Sequence, residues 1–238
     1  RISQAYPLLA LRGVLDKLDC ADLIADLDDK LNDLFVYIEQ NLQPDGLYSY
    51  WPSSNGYAHL TAYTLDFLIE AKRAGYKFDD KLTARAINAL KSALRSDYNK
   101  LLTGQTFYER VEAFSALCNA GYLDNGYAAE FLEKFKYFDV YTQAKFLYAM
   151  FNNQDKFKIS ALNKLKDSLW ENVIFKLRNG KEEFYGINMQ YGDNSKTVLH
   201  SEKRTLANLL RVFWKIDNKN PKNEMLLNAL IGYADKNG

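Results

Sequence analysis

Residues 57–75 are apolar around most of a helix's circumference. Tyr57, Leu60, Tyr63, Leu65, Phe67, Leu68 and Ile69 encircle a narrow polar stripe of His59, Asp66, Glu70 and Arg73. A helix with so little polar surface has to be covered on most sides. Residues 79–97 carry a different pattern, with Leu82, Ile87, Leu90 and Leu94 on one side and Ala86, Ala89 and Ala93 between them. Lys81, Arg85, Lys91 and Arg95 take the opposite side. That spacing, close to ~3.6 residues, predicts a helix with one wet face. An enclosed helix followed by a half-exposed one implies two layers.

The breakers fall in a regular order. Ala74-Gly75-Tyr76 and Ala120-Gly121-Tyr122 end two predicted helices, each followed by an aspartate (Asp79, Asp124) near the next start. Glycine just past the last turn is the favoured stop, and a recurring helix pair of this size is the mark of stacked or circularised hairpins. Further helices are predicted over 2–18, 25–42, 105–121 (Phe107, Val111, Phe114, Cys118), 140–152 (Val140, Ala144, Leu147, Phe151) and 156–177 (Leu162, Leu165, Leu169, Val173). Another runs over 201–217, capped by Ser201 and carrying Leu206, Leu209, Leu210, Phe213 and Trp214, and a last one starts at Pro221. Residues 178–199, with Gly180, Gly186 and Gly192, read as a long loop or short β-hairpin. The expected architecture is all-α: about ten or more helices in two concentric layers, an α/α toroid, forming one domain over 1–238.

Composition narrows the function. Apolar residues make up 47% of the 238, enough for a sizeable core. Only 4 Pro occur against 17 Tyr and 14 Phe, which suits helices packed on helices. With 31 Lys and Arg against 30 Asp and Glu, there is no basic excess for a nucleic-acid footprint. No apolar run approaches the roughly 18 residues of a membrane span, so membrane contact by this region is not expected. Cys20 and Cys118 are far apart and make no metal-type spacing, and no cofactor is called for. Because the chain opens at Arg1 within a predicted helix, it reads as a fragment of a larger multidomain protein.

The most distinctive stretch is Gln43-Pro44-Asp45-Gly46-Leu47-Tyr48-Ser49-Tyr50-Trp51-Pro52. Pro-Asp-Gly is a turn signal, since Pro fixes φ and Gly accepts a positive φ. The aromatic residues behind it would fold back onto a helix end, either as a buttressed connection or as a loop lining the mouth of a ring.

This stretch resembles the turn in the α/α-toroid domain of bacterial α2-macroglobulin-like proteins and, more distantly, of complement thioester proteins. Leu60-Thr61-Ala62-Tyr63-Thr64-Leu65-Asp66-Phe67-Leu68 resembles the helix that follows, and Leu199-His200-Ser201-Glu202-Lys203-Arg204-Thr205 the opening of a late toroid helix. Arg1-Ile2-Ser3-Gln4-Ala5-Tyr6-Pro7-Leu8-Leu9 looks like the residues that directly follow the family's Cys-x-Glu-Gln thioester motif. The resemblance implies a covalent or steric protease trap, periplasmic or extracellular, with no catalytic turnover. Its partners would be target proteases, reached through the full-length parent, and neighbouring domains. The thioester residues themselves are absent: Cys20 is followed by Ala21-Asp22-Leu23, and Tyr37-Ile38-Glu39-Gln40 has Tyr in place of Cys. The motif is expected just before Arg1. The residues that would flank it or line the ring mouth are Arg1, Ser3, Tyr6, Asp45, Gly46, Trp51, His59 and Tyr63. The histidine relay of complement-type members has no counterpart in 101–112, and His59 and His200 are the only histidines.

Two other classes are open. One is an α/α-toroid enzyme. Asp26-Leu27-Asp28-Asp29 has the D-x-D-D pattern of terpene cyclases, although acids near a helix start are favoured by its dipole. Glu182, Glu183 and Asp45 could serve a glycosidase. The other class is a passive helical-repeat binding module.

Overall fold

The computed structural model describes residues 2–18, 21–51, 54–95, 106–189 and 201–233. Among these lie ten α-helices and one two-stranded antiparallel sheet, the all-α architecture with a short hairpin that the periodicity implies. The chain divides into two compact units, residues 1–102 and 103–238.

The first unit holds α1 (Ala5–Lys17), α2 (Ala21–Gln40), α3 (Ala58–Arg73) and α4 (Asp80–Leu94). Helix α3 is enclosed as its pattern demands, with Thr61, Leu65, Phe67 and Leu68 fully buried. Asp66, placed on the polar stripe by spacing, is buried as well. Phe35 of α2 stacks on Phe67 (centroids 5.7 Å) and meets Tyr76 and Phe78, so aromatic rings weld α2, α3 and the α3–α4 turn. Helix α4 buries Leu82, Ala86, Leu90 and Leu94 and turns Lys81, Arg85 and Lys91 to solvent. Asp79 caps it by accepting the Lys81 amide.

The second unit holds α5 (Thr106–Asn119), α6 (Asn125–Lys134), α7 (Val140–Asn152), α8 (Ile159–Trp170), β1 (Val173–Arg178), β2 (Lys181–Ile187), α9 (Glu202–Ile216) and α10 (Lys222–Gly232). Lys145 of α7 pairs with Glu112 of α5, and the Arg204 guanidinium of α9 reaches both Tyr108 of α5 and Tyr141 of α7. Because Tyr141 and Lys145 follow each other in the same order as Tyr108 and Glu112, α5 and α7 run parallel and in step. The first turn of α9 ends level with theirs. Phe114, Phe131 and Phe146 knit α5, α6 and α7, while Leu147, Leu169, Leu206, Phe213 and Leu226 form the core of the second half. Trp170 at the end of α8 lies flat on Phe213, 3.6 Å away and tilted by 7°.

The two Gly stops close identically. Gly75 and Gly121 take φ of 95° and 90°. The amide after each returns to the carbonyl five residues back, Tyr76 to Ala71 and Tyr122 to Leu117, the hydrogen-bond pattern of a helix C-terminus closed by a left-handed residue.

Three sequence expectations need correction. The helix expected over 156–177 ends at Trp170, and Val173, assigned to its apolar stripe, begins β1. The hairpin accordingly spans 173–187 rather than 178–199. Its turn is Asn179-Gly180, with φ of 51° and 76°, the dipeptide that best tolerates two successive positive φ values. Residues 190–200 lie outside the described residues. Helix α2 begins at Ala21 rather than near 25, so Asp26, Asp28 and Asp29 lie beyond its first turn and are not helix-start acids.

Candidate functional site

The loop between α2 and α3 is built by its own sequence. The Gly46 amide donates to the Gln43 carbonyl (2.9 Å), closing a turn over Pro44-Asp45, and the Asp45 carboxylate accepts the Leu47 amide (3.0 Å). Gly46 has φ 84°, and a Cβ there would sit 2.7 Å from the Arg85 carbonyl oxygen and 3.2 Å from the Ala89 Cβ. Glycine is therefore required twice, for conformation and for close approach to α4. Arg85 in turn donates to the Gln43 carbonyl. A Cβ on Gly56 would run into Leu47, so a second glycine lets the two arms of the loop touch.

Tyr48 forms the centre of the loop. It pairs antiparallel with Leu42 and Tyr57, and its amide donates to the Thr61 hydroxyl (2.9 Å), which itself donates to the Tyr57 carbonyl (2.8 Å). The Tyr48 ring is fully buried, its hydroxyl has no hydrogen-bond partner among the described residues, and burial pushes the phenol well above its ordinary range. Tyr50 and Trp51 turn outward instead, 52% and 67% exposed. The Tyr50 hydroxyl and His59 Nε2 share a hydrogen bond of 2.7 Å, and the Tyr50, Tyr57 and His59 rings stand 5.2–5.8 Å apart at the start of α3.

Of the residues expected to flank a motif or line a mouth, Trp51 and His59 thus meet in one exposed aromatic cluster through Tyr50. Tyr6 and Tyr63 meet edge to face at 5.0 Å between α1 and α3. Asp45 and Gly46 are taken up by the turn and its seat on α4. Arg1, His200, Cys20 and the Ser3 side chain lie outside the described residues, and Cys118 is buried and not in a disulfide.

A second cluster, which sequence reasoning did not single out as a site, gathers at the first turns of α5, α7 and α9. Arg204 Nη2 donates to the hydroxyls of Tyr108 (2.8 Å) and Tyr141 (2.9 Å), and its guanidinium carbon stands 4.3 Å from the Tyr141 ring centroid. Beneath them Glu112, whose side chain is 6% exposed, binds Lys145 at 3.0 Å, itself 12% exposed. Burial, reinforced by the Glu112 charge, raises the Tyr141 phenol to about 12 and Tyr108 further. Tyr108 with Glu112, and Tyr141 with Lys145, repeat one spacing with opposite charges. That Tyr-x-x-x-charge pair on two helices was the available signal.

Four of the carboxylates nominated for enzymes, Asp26, Asp28, Asp45 and Glu182, have partners. Asp28 accepts from Arg12 Nε (3.1 Å) and from the Tyr76 hydroxyl, which burial and this bond raise to about 12. Asp26 pairs with Lys30. Glu182 faces Lys222 at 3.6 Å, and Glu183 is opposite Lys176 in the hairpin register. No group of three or more potential metal-ligating side chains occurs among the described residues, and no helix there is long and apolar enough to cross a membrane.

No protein-family model matches the chain, and no curated protein matches it in sequence. Solved structures match it in fold, bacterial α2-macroglobulins among them. Native α2-macroglobulin from Escherichia coli, in a structure spanning domain MG7 to the C-terminus, superposes over 89% of this chain with a TM-score of 0.67 and 18% identity. The native conformation of E. coli α2-macroglobulin seen by electron cryo-microscopy gives 89%, 0.69 and 16%. Salmonella α2-macroglobulin reacted with methylamine gives 83%, 0.65 and 19%. The chain spans 32%, 13% and 12% of these proteins respectively. At such identities the correspondence is one of fold.

Proposed function

We propose that the chain is the helical thioester-domain region of a bacterial α2-macroglobulin-like protease trap acting on the periplasmic or extracellular side, and that it is not an enzyme. The observation that carries this reading is the fold correspondence over 89% and 83% of the chain with α2-macroglobulins of E. coli and Salmonella. The order of its sequence segments supports it: the residues from Arg1, the Pro-Asp-Gly turn, and the late helix opened by Ser201 follow one another as in that family. In this role the region packs against neighbouring domains of its parent. A Cys-x-Glu-Gln ahead of Arg1 would place a thioester beside the α1 start, near Tyr6 and Tyr63. A nucleophile on a trapped protease would attack the Gln-derived carbonyl, forming the new acyl bond as the carbon–sulfur bond breaks and the cysteine leaves as thiolate. Keeping that acyl group from water until a trigger exposes it is the physical requirement of such a trap.

Methylamine tests the covalent step on the full-length parent. The expected result is a mass gain of one methylamine with one new thiol, together with Cys-x-Glu-Gln encoded just upstream of Arg1. No mass gain and no new thiol would remove the covalent mechanism and leave a steric trap. A parent that is cleaved by a protease yet does not retain it would overturn the trap altogether.

A further inference from the structure

The first turns of α5, α7 and α9 end together with one guanidinium among them, and nothing in the trap reading uses it. Arg204 spends Nη2 on two phenol oxygens and lies over the Tyr141 ring, so its orientation is set before any ligand arrives. No carboxylate pairs with Arg204 among the described residues. Of the nearby acidic side chains, Glu112 binds Lys145 through Oε2 (3.0 Å) while its Oε1 is buried without a hydrogen-bond partner among the described residues, Glu202 Oε1 accepts the Ile187 amide (3.3 Å), and Asp139 accepts the Thr142 amide (2.8 Å). No described residue takes the Nε and Nη1 hydrogens, and Arg204 is exposed to solvent. Both phenol oxygens accept from Nη2, so the Tyr141 O–H has to point away from the guanidinium. Its raised phenol stays protonated, and therefore a donor, throughout the neutral range. The partial positive charge at the starts of three aligned helices adds to the same side.

We propose that Arg204, oriented by Tyr108 and joined by the Tyr141 hydroxyl, forms a carboxylate-binding site at the joint N-terminal rim of α5, α7 and α9. The array offers donors and one formal positive charge, which a singly charged oxyanion matches. The Glu112 carboxylate lies close enough to act on Arg204 electrostatically, and it weighs against a phosphate dianion. The carboxylate is supplied either by a small free acid or by an acidic side chain of another protein segment. The site stands independently of the trap reading.

The test is a titration of the intact 238-residue chain with sodium acetate, with acetyl-glutamate amide (its side-chain carboxylate free) and with inorganic phosphate. Sodium chloride holds ionic strength constant, and the Arg204 Nε resonance is followed by NMR. The expected result is a saturable shift with either carboxylate, tighter than with phosphate. Arg204→Gln, shown folded by circular dichroism, should bind about tenfold or more weakly, as loss of a charge-assisted bond predicts. Arg204→Lys should fall between, keeping charge without the planar donors. Tyr141→Phe, which removes one donor and leaves the ion pair beneath intact, should weaken binding severalfold. A clear preference for acetyl-glutamate amide would identify a protein side chain as the source, and equal binding a free acid. A shift that does not saturate, one that survives unchanged in Arg204→Gln, or phosphate binding tighter than both carboxylates would overturn the proposal.

Discussion

The α2–α3 loop and the Arg204 rim solve the same problem, fixing polar and aromatic side chains where helices begin, by opposite means. The loop is held locally. Most of its hydrogen bonds among the described residues join residues 43 to 61, a turn and two glycines shape it, and it meets Arg85 and Ala89 on α4 while Tyr48 packs into the core. The rim is held by side chains from three helices, with Tyr108 and Arg204 far apart in the chain. A locally specified loop can tolerate the loss of any one exposed side chain, because backbone geometry carries it. A rim built from charged and phenolic groups over a buried ion pair has no such reserve.

The largest effects should therefore arise beneath the rim. Lys145→Met leaves the Glu112 carboxylate buried without its cation and should cost about 3–5 kcal/mol in urea unfolding. A cost under about 1 kcal/mol would show that the pair is solvated and that the contrast is false. The apolar floor of the first unit sets the scale for comparison: Phe67→Ala should cost about 3–5 kcal/mol, as for an enclosed aromatic. Gly46→Ala comes next at about 1–3 kcal/mol, from a strained φ and a Cβ pressed on the Arg85 carbonyl. Tyr50→Phe should cost only about 0.5 kcal/mol, since it deletes one solvent-exposed hydrogen bond and leaves the loop backbone unchanged.

Alkaline titration gives the finest comparison. Burial raises Tyr141 and Tyr76 from 10.0 to about 12, so the folded state favours their protonated forms. Their stabilising contribution is whole below pH 10 and fades as pH climbs through about 12. Ultraviolet absorbance should show phenols ionising in that late step together with loss of helix. Complete ionisation of every tyrosine near pH 10, with the helices intact, would contradict the burial of both rings.

The same contrast explains what could be read from the amino acids alone. The enclosed α3, the half-wet α4, the glycine stops at Gly75 and Gly121, and the Pro44-Asp45-Gly46 turn all depend on neighbours within a few residues, and each was legible. The end of α8 was not, because Leu169 and Val173 continue a helical spacing. The β-branched and aromatic run Val173-Ile174-Phe175 and the Asn179-Gly180 turn favour a hairpin that the apolar period alone does not register. The acids of α2 looked like a catalytic pattern until Arg12, Lys30 and Tyr76 claimed two of them. The rim was invisible for the opposite reason: its members become neighbours only when three helices stack in step, which no local period reports.

Trp170 gives the second unit an optical gauge of its own. Its indole lies flat on Phe213 while its N–H donates to the Asp217 carboxylate at 3.0 Å, so ring plane and dipole direction are both fixed by α9 and the residue that ends it. Trp51 and Trp214 are 67% and 49% exposed and would emit much as free indole does. A blue-shifted, quencher-resistant fraction of the fluorescence should therefore come from Trp170, and its disappearance would time the parting of α8 from α9.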